Sequence, residues 1–362
     1  MVAQSVNVEG MTNVAPKPDN VARKQPPSLT PLISLLADDM EQVNETIMAR
    51  MTSEVPLIPQ LAGHLIASGG KRMRPLMTLA GARIANARLT STNATVSSAA
   101  AIKLATAVEF IHSATLLHDD VIDESNMRRG QNTANALWGN DASVLVGDFL
   151  FARAFELMVE TGNIDVLGTL SSASARITEA EIKQMTIAGN PDTRLEDYLD
   201  VIEGKTAILF AAAAASGAKV SGADEHIIQA MHDYGLNLGL AFQIMDDALD
   251  YTADSAQMGK NAGDDFLDQK ITMPVILAYQ KASDEERGFW HRTMGDGNFA
   301  AEDFAKAQAI LAHHHAIEES LDKATSYAHK AKAALAIFDA SNQADLAHAL
   351  AETAAFAAFR RT

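Results

Sequence analysis

The chain has 362 residues, 48% of them hydrophobic, which is enough to bury a sizeable core. It contains no cysteine, and this excludes disulfides, thiolate metal sites and thiol nucleophiles. The formal net charge of −17 argues against a nucleic-acid-binding surface, which needs clustered lysine and arginine. Any anionic substrate must therefore be held by bound cations and by a few local basic residues.

The beginning of the chain differs in composition from the rest. Seven of the ten prolines lie before residue 60, and we expect residues 1–30 to form a flexible leader. A mitochondrial transit peptide fits less well, because the leader contains Glu9 and Asp19 and few basic residues. No apolar start resembles a secretion signal, and no apolar run approaches the roughly 20 residues that cross a bilayer. The sequence therefore predicts a cytoplasmic protein without stable membrane insertion.

From Pro31 onward the sequence is rich in alanine and leucine, and its apolar residues recur at spacings of three and four. This pattern predicts an all-α fold, with residues 31–362 as one helical domain, because no internal repeat or long linker divides it. Phe210 and the five alanines that follow it indicate a central helix. The predicted helices are 32–51, 73–86, 97–123, 143–160, 167–188, 205–216, 225–252 and 271–282, with further helix from about 300 to 359.

The first chemically distinctive segment ends the predicted helix 97–123. Asp119 and Asp123 lie four residues apart and share one face of the helix, with Asp120 beside them. Like charges at that spacing repel one another, so these carboxylates either face water or are neutralised by a divalent cation. A single DDxxD pattern in a chain with 46 acidic residues leaves both interpretations open.

A second copy of the pattern ends the predicted helix 225–252. Asp246, Asp247 and Asp250 follow an apolar stretch, and Gln243 lies one turn before them. If the two helices lie side by side, the carboxylates face each other across a gap lined by oxygen ligands. Such a gap suits Mg²⁺, which retains water ligands and bridges phosphate groups.

Basic residues occur where a diphosphate would need them. The segment 69–75, GGKRMRP, places three cations within four residues at a glycine break before a helix. Glycines allow close backbone approach, arginine binds phosphate oxygens in pairs, and the start of a helix adds amide donors. Further candidates are Arg128 and Arg129, just after the first aspartate cluster, and Lys205, Lys260 and Lys270.

Taken together, these segments resemble the trans-isoprenyl diphosphate synthase family. The resemblance rests on GGKRMRP, FIHSATLLHDDVIDES, RRG, EGKTA, FQIMDDALD and GKNAGDD, and it spans roughly residues 32 to 360. It implies the isoprenoid synthase type of helical bundle with a central channel, a homodimer, and several Mg²⁺ ions in each active site. The implied substrates are isopentenyl diphosphate and an allylic diphosphate primer.

The same resemblance assigns roles to individual residues. Asp119, Asp123 and Asp246 are the implied chief magnesium ligands, with Asp120 and Asp250 as further ligands or as their supporting partners. These three chief ligands, with Lys205 and Thr206, form the implied catalytic set. The residues implied in substrate binding are Lys71, Arg74, His112 and Arg129 for isopentenyl diphosphate, and Arg128, Lys205, Thr206, Gln243, Lys260 and Lys270 for the allylic diphosphate.

The histidines need separate treatment, because a lone histidine on an apolar helix is more often structural than a ligand. His112 lies two turns before Asp119 on the same face and matches the family's phosphate-contacting position. His118 has no such match, and we interpret it as structural. The run His313–His315 resembles a metal-binding tract, but on a solvated helix we expect it to be ordinary surface.

Product length is predicted from the helix below Asp119. One helical turn rises about 5.4 Å, close to one isoprene unit, so each turn toward the N-terminus marks one unit. The first marks are the small residues Thr115 and Ala114, followed by Ile111, whereas short-chain relatives tend to have an aromatic residue there. This favours an octaprenyl to decaprenyl product that would supply a quinone side chain. If an aromatic from a neighbouring helix closes the channel, the enzyme is a geranylgeranyl diphosphate synthase; the candidates are Phe149, Phe151 and Phe155.

More distant alternatives remain. A terpene cyclase shares the fold but usually lacks a second DDxxD and the GGKRxRP segment, both of which are present. A metal phosphohydrolase could use the adjacent pair His118 and Asp119, but that reading leaves the second aspartate cluster unexplained. For the prenyl transferase itself, transient contact with a membrane during product release is compatible with the sequence.

Overall fold

The computed structural model describes residues 26–67, 70–90, 98–128, 130–252, 263–338 and 344–359. Within them the secondary structure is almost entirely helical, which confirms the predicted fold class. A two-residue hairpin is the exception, with Met127–Arg128 (β1) antiparallel to Gln131–Asn132 (β2). Most of the predicted leader lies outside the described residues.

The first half of the chain contributes the helices that surround the first aspartate cluster. The predicted helix 32–51 is in fact two helices that meet at Leu36, and two helices, Leu57–Ala67 and Ala134–Trp138, match no predicted range. The helices are Thr30–Leu35 (α1), Ala37–Arg50 (α2), Leu57–Ala67 (α3), Met73–Thr90 (α4), Ala99–Ile122 (α5), Ala134–Trp138 (α6) and Asn140–Glu160 (α7).

The second half contributes the second cluster and an outer layer. The helices are Ile164–Ile187 (α8), Leu195–Ile202 (α9), Ile208–Val220 (α10), Glu225–Asp250 (α11), Asp264–Leu267 (α12), Met273–Lys281 (α13), Asp284–Trp290 (α14), Asp303–His313 (α15), Ala316–Ala334 (α16) and Ala344–Ala357 (α17). A 3₁₀ turn, Leu335–Phe338, follows α16, and π turns occupy Glu203–Ala207 and His291–Gly295.

Helix α10 lies at the centre of the bundle, as its alanine run predicts. Every residue from Leu209 to Ala218 is buried, and the helix packs against α4, α5, α8 and α11. Small residues allow this close packing: a Cβ on Gly217 would overlap the carbonyl of Thr78 in α4, and a Cβ on Gly81 would overlap the carbonyl of Ala214. The composition of α10 therefore sets the distance between the helices that carry the site.

The predicted helix 205–216 needs a correction. Helix α9 runs into the π turn Glu203–Ala207 and then directly into α10, so the chain is helical from Leu195 to Val220. The π turn falls on the segment EGKTA, where Gly204 faces Ala180 and Arg176 of α8 too closely for a side chain. Such single-turn widenings of an α-helix are often found at functional sites.

Two helical segments, Ala99–Ile122 and Leu195–Val220, are long and apolar enough to span a membrane by length and composition. The expectation that no such run exists was therefore wrong. Within the bundle, 61% of the first apolar window and 83% of the second are buried against other helices. Packing against protein thus accounts for their apolar character.

Candidate active site

The two aspartate clusters lie at the C-terminal ends of α5 and α11. Ser98 caps the start of α5 by accepting the N–H of Ala101, and this helix carries the first cluster through 24 residues to the site. Lys270 and Asp265 link the two clusters: Lys270 Nζ lies 3.1 Å from Asp123 Oδ2, the charge of Asp265 also acts on Lys270, and the backbone N–H of Asp265 donates to Asp250 Oδ2 at 3.1 Å. The fold therefore brings the two clusters to one region, as the sequence predicts.

The three aspartates of the first cluster have different surroundings. Burial raises the pKa of Asp119 above its ordinary value; the negative charges of Glu181 and Asp123 raise it further, while Lys205 opposes them. Asp120 is only 4% exposed and accepts two hydrogen bonds from Arg128, at 2.9 and 2.7 Å. The ionised form of Asp119 is thus destabilised where it lies, whereas Asp120 is already paired.

In the second cluster, two of the three aspartates belong to internal hydrogen-bond networks. Asp247 accepts from Tyr198 Oη at 2.5 Å and from Gln243 Nε2 at 2.7 Å. Asp250 accepts from the backbone N–H of Asp265 at 3.1 Å. Asp246 is half-buried, whereas the other two are nearly inaccessible. Asp246 is the aspartate of this cluster best placed to reach a ligand.

Lys205 bonds to two residues that the sequence analysis did not identify as part of the site. Its ammonium group donates to Glu181 Oε2 at 2.7 Å and to Gln184 Oε1 at 2.8 Å, both on α8. The second oxygen of Glu181 is buried and accepts no hydrogen bond within the described part of the chain. The signal available in the sequence was an acid and an amide three residues apart on one helix, which is too common to single out.

Lys270 connects the first cluster to the segment after α11. Burial alone would lower the pKa of Lys270, but the carboxylates of Asp123, Asp265 and Asp268 raise it well above its ordinary value. The side chain donates to Asp123 at 3.1 Å and to Asp268 at 3.0 Å. A protonated lysine therefore lies beside Asp123, near Asp265 and Asp268.

The three basic residues at the start of α4 make contacts in different places. Arg74 Nη1 lies 3.0 Å from His112 Nε2, and its guanidinium stacks over Phe210 at 4.4 Å. Lys71 lies 4.4 Å from the ring centre of Phe356 in the last helix. Arg72, with a left-handed backbone, bonds to Asn44 instead. Lys71 and Arg74 thus contact the inner helices α5, α10 and α17, whereas Arg72 contacts α2.

Two of the predicted basic positions, Arg129 and Lys260, lie outside the described residues. Of the positions implied for the diphosphates, the structure brings together Arg74 with His112, and Thr206 with Gln243.

The proposed chain-length residues face the interior of the bundle. Ala114 and Ile111 are fully buried, and the half-buried Thr115 turns its hydroxyl to the carbonyl of His112. Of the alternative floor residues, Phe155 is 42% exposed, which removes it from the interior of this chain. Phe151 lies against the ring of His118, whose Nε2 contacts the carbonyl of Val144 at 3.2 Å, in agreement with a structural role.

The residues present suit magnesium. The clusters offer carboxylate oxygens without sulfur, and Asp119 together with the unbonded oxygen of Glu181 supplies negative charge that a cation would compensate. Among the described residues, the cluster aspartates do not converge as three ligand atoms within 4.8 Å of one another. Ions held here would therefore complete their shells with water and phosphate oxygens, as Mg²⁺ usually does.

Several known proteins are similar to this chain over most of its length. An octaprenyl diphosphate synthase from Haemophilus influenzae is 40% identical over 85% of this chain and 91% of its own length. A polyprenyl synthase from Caulobacter crescentus, solved with calcium and isoprenyl diphosphate, is 47% identical with a TM-score of 0.86, over 94% of this chain and 100% of its own. A decaprenyl diphosphate synthase from Rhodobacter capsulatus is 46% identical with a TM-score of 0.85, over 92% and 100%.

The family assignment follows from the match and from the fold. The family model described as polyprenyl synthetase matches residues 55–311, a range that contains both aspartate clusters and the GGKRMRP segment. The solved structures with the same fold are themselves polyprenyl synthases. The chain therefore belongs to the polyprenyl synthetase family.

Proposed function

We propose that this protein is a long-chain all-trans polyprenyl diphosphate synthase. It adds isopentenyl diphosphate repeatedly to an allylic diphosphate and releases a product of octaprenyl to decaprenyl size. The observation that carries the proposal is the pair of aspartate clusters in one region, with Lys205 close enough to Asp119 to affect its pKa and Lys270 bonded to Asp123. The octaprenyl and decaprenyl diphosphate synthases among its relatives support the long product.

The chemistry requires charge stabilisation more than proton transfer. Breaking an allylic C–O bond leaves a delocalised carbocation and a free diphosphate, and two bound diphosphates bring about six negative charges. Asp119, Asp123 and Asp246 would hold Mg²⁺, with Asp120 and Asp250 supporting them. When bound, Mg²⁺ would neutralise the diphosphate and stabilise charge on the departing oxygen.

The chain's own cations would share that work. Lys205, Lys270 and Arg128 lie beside the clusters and would bind the allylic diphosphate. Lys71, Arg74 and His112 would hold isopentenyl diphosphate on the α4 side of α5. The hydroxyl of Thr206 and the carbonyl beside it would stabilise the carbocation. The double bond of isopentenyl diphosphate then attacks the cation, and the departing diphosphate takes the proton.

Exclusion of water is the second requirement, because water would convert the cation to an alcohol. The part of α5 before Asp119 satisfies this requirement, because Ala114, Ile111 and Val108 are fully buried in an apolar core. Small side chains there would also let an elongating tail pass between α5 and its neighbours.

The alternatives have less support. A metal phosphohydrolase would need His118 as a ligand, but its ring contacts the carbonyl of Val144 on α7. A geranylgeranyl diphosphate synthase would need an aromatic floor, and Phe155 is exposed. Phe149 and Phe151 remain the residues on which that alternative depends.

We further propose a cytoplasmic homodimer whose product becomes a quinone side chain. An apolar stripe on α7 favours a second copy as its partner: Leu145 is 66%, Phe155 42% and Val159 63% exposed. Gel filtration with light scattering should give twice the chain mass. Replacing Leu145 and Val159 with lysine should give the monomer mass, while a dimer that survives both changes would place the interface elsewhere.

The activity is tested directly by incubating the protein with labelled isopentenyl diphosphate, an allylic primer and Mg²⁺, and then extracting the lipid. Products of forty to fifty carbons, sized by chromatography after dephosphorylation, are expected. A cyclic hydrocarbon would indicate a terpene cyclase, release of phosphate alone would indicate a hydrolase, and a twenty-carbon end product would support the geranylgeranyl alternative.

A further inference from the structure

Three potential metal ligands meet on the surface where α14, α15 and α16 adjoin. Glu286 lies in the first turn of α14, His313 ends α15, and His314 follows it. His314 Nε2 lies 3.2 Å from each carboxylate oxygen of Glu286, and the two imidazole ring centres are 4.8 Å apart. One ligand atom from each residue lies within 4.8 Å of the other two. Their convergence could not be read from the histidine run alone.

The donor set differs in kind from that of the aspartate clusters. Two imidazoles and one carboxylate are the ligands of zinc sites that keep a fourth position for water, whereas Mg²⁺ prefers oxygen alone. In a tetrahedral site with bonds of about 2.1 Å, the ligand atoms lie roughly 3.4 Å apart. His313 is exposed, so its ring can rotate to shorten the present spacing without moving the backbone.

Neighbouring groups hold the carboxylate ready. Glu286 Oε2 accepts from the backbone N–H of Ser283 at 2.7 Å and from its hydroxyl at 2.9 Å. These hydrogen bonds lower the pKa of Glu286, and the contact with His314 lowers it further. The side chain of His314 is only 11% exposed, so its ring is held in place. Outer hydrogen bonds of this kind orient metal ligands and strengthen binding.

An ion bound by these residues would affect the turn between α15 and α16. His315 connects α15 to α16 with a φ of +54°, which is uncommon for a residue with a side chain. Glu286 belongs to a different helix from the two histidines. An ion bound by all three would therefore fasten this turn to α14.

We propose that Glu286, His313 and His314 form a binding site for a zinc-type divalent ion, separate from the aspartate clusters, that fastens the α15–α16 turn to α14. The site does not take part in prenyl transfer. It selects Zn²⁺ or Co²⁺ over Mg²⁺ because two of its three ligands are nitrogens. Its affinity falls when the histidines are protonated, since an imidazolium cannot coordinate.

The test is a Co²⁺ titration of the full-length protein in excess Mg²⁺, which occupies oxygen-only sites, followed by competition with Zn²⁺. We expect one equivalent of Co²⁺ to bind per chain and to give strong visible absorption. Zn²⁺ should displace the cobalt and remove this absorption, and Zn²⁺ should also raise the melting temperature. Each of His313→Ala, His314→Gln and Glu286→Gln should weaken binding by at least about 10- to 100-fold, the loss caused by removing even an outer partner.

The variants are chosen so that folding does not confuse the result. His313 is exposed, and glutamine can replace Glu286 in its bond to Ser283. His315→Asn is the matched control: it removes a histidine of the same run but keeps a residue that tolerates a left-handed backbone. Its binding should be unchanged, as should the prenyl transfer rate of every variant in Mg²⁺. Binding that persists in both His313→Ala and Glu286→Gln, or that is lost equally in His315→Asn, would overturn the proposal.

Discussion

The two aspartate clusters share one sequence pattern but are built differently. In the first, the half-buried Asp119 lies near the charges of Glu181 and Asp123, and Asp123 caps the helix and bonds to Lys270. In the second, all three aspartates lie within α11, and Asp247 and Asp250 bond to groups of the protein. The first cluster thus presents more of its carboxylates to the space between the helices than the second does.

The difference shows that a repeated motif need not repeat its function residue by residue. The second cluster uses two of its aspartates to fix neighbouring segments, through Tyr198 in α9 and Asp265 in α12. We infer an unequal contribution, with the first cluster supplying most of the negative charge and the second supplying Asp246 on a rigid support.

The largest expected effect separates ligands from supporting residues. Asp119→Asn and Asp246→Asn should each lower kcat/KM by about 100- to 1000-fold or more, because each removes charge that stabilises the transition state. Asp250→Asn is the matched control and should cost less than about 10-fold, since its amide oxygen can still accept from Asp265. Steady-state kinetics measures kcat/KM, and circular dichroism checks that each variant is folded. Equal losses in all three variants would mean that both clusters bind ions in the same way.

The second prediction asks below which cluster the product tail runs. Ala114 and Ala241 lie five residues before Asp119 and Asp246, and both are fully buried. Ala114→Tyr should shorten the product to about farnesyl or geranylgeranyl size and leave the first condensation largely intact. The matched Ala241→Tyr should not shorten it.

Chromatography of the dephosphorylated products decides between the two positions. Because an added aromatic can strain a full core by about 1–3 kcal/mol, Ala114→Leu and Ala241→Leu provide a milder pair. An unchanged product from both changes at Ala114 would place the channel away from α5.

The third prediction tests whether isopentenyl diphosphate binds on the side of the first cluster. Lys71→Ala should raise the KM for isopentenyl diphosphate by about 10-fold, as loss of one charged hydrogen bond does, with little change for the primer. Arg72→Ala is the control, because Arg72 bonds to Asn44. A rise in KM confined to the allylic primer would show that the two substrate sites are exchanged.

The smallest expected effect concerns the support of the second cluster. Tyr198→Phe removes the 2.5 Å hydrogen bond to the buried Asp247 and should cost about 1–3 kcal/mol of unfolding free energy with a several-fold loss of turnover. Tyr279→Phe removes a comparable bond to Asp192, 3.0 Å long and outside the clusters, and should leave turnover unchanged. Denaturant unfolding and kinetics measure both, and full activity in Tyr198→Phe would show that Asp246 needs no such support.

Much of the architecture could be predicted from local patterns. Apolar spacing predicted the all-α class, the run after Phe210 predicted the central helix, and the positions of Asp119 and Asp246 at helix ends followed from helix length. These features depend on residues within a few turns of one another, and helical periodicity reports such neighbours directly.

The boundaries at breaks were less predictable. The helix at 205–216 proved to begin ten residues earlier, because the π turn at Glu203–Ala207 lets α9 continue into α10. A glycine in such a segment reads as a break, whereas here Gly204 allows close packing against α8.

The sequence by itself determined which chemical groups the protein has and at which helix ends they lie. Only the tertiary structure decided their partners: Glu181 for Lys205, Tyr198 for Asp247, and Glu286 for His314, each pair being 24 or more residues apart. The physical reason is that hydrogen bonds and electrostatic shifts depend on distances of a few ångströms across helix interfaces. Those distances are set by how small residues such as Gly217 and Gly81 let the helices approach.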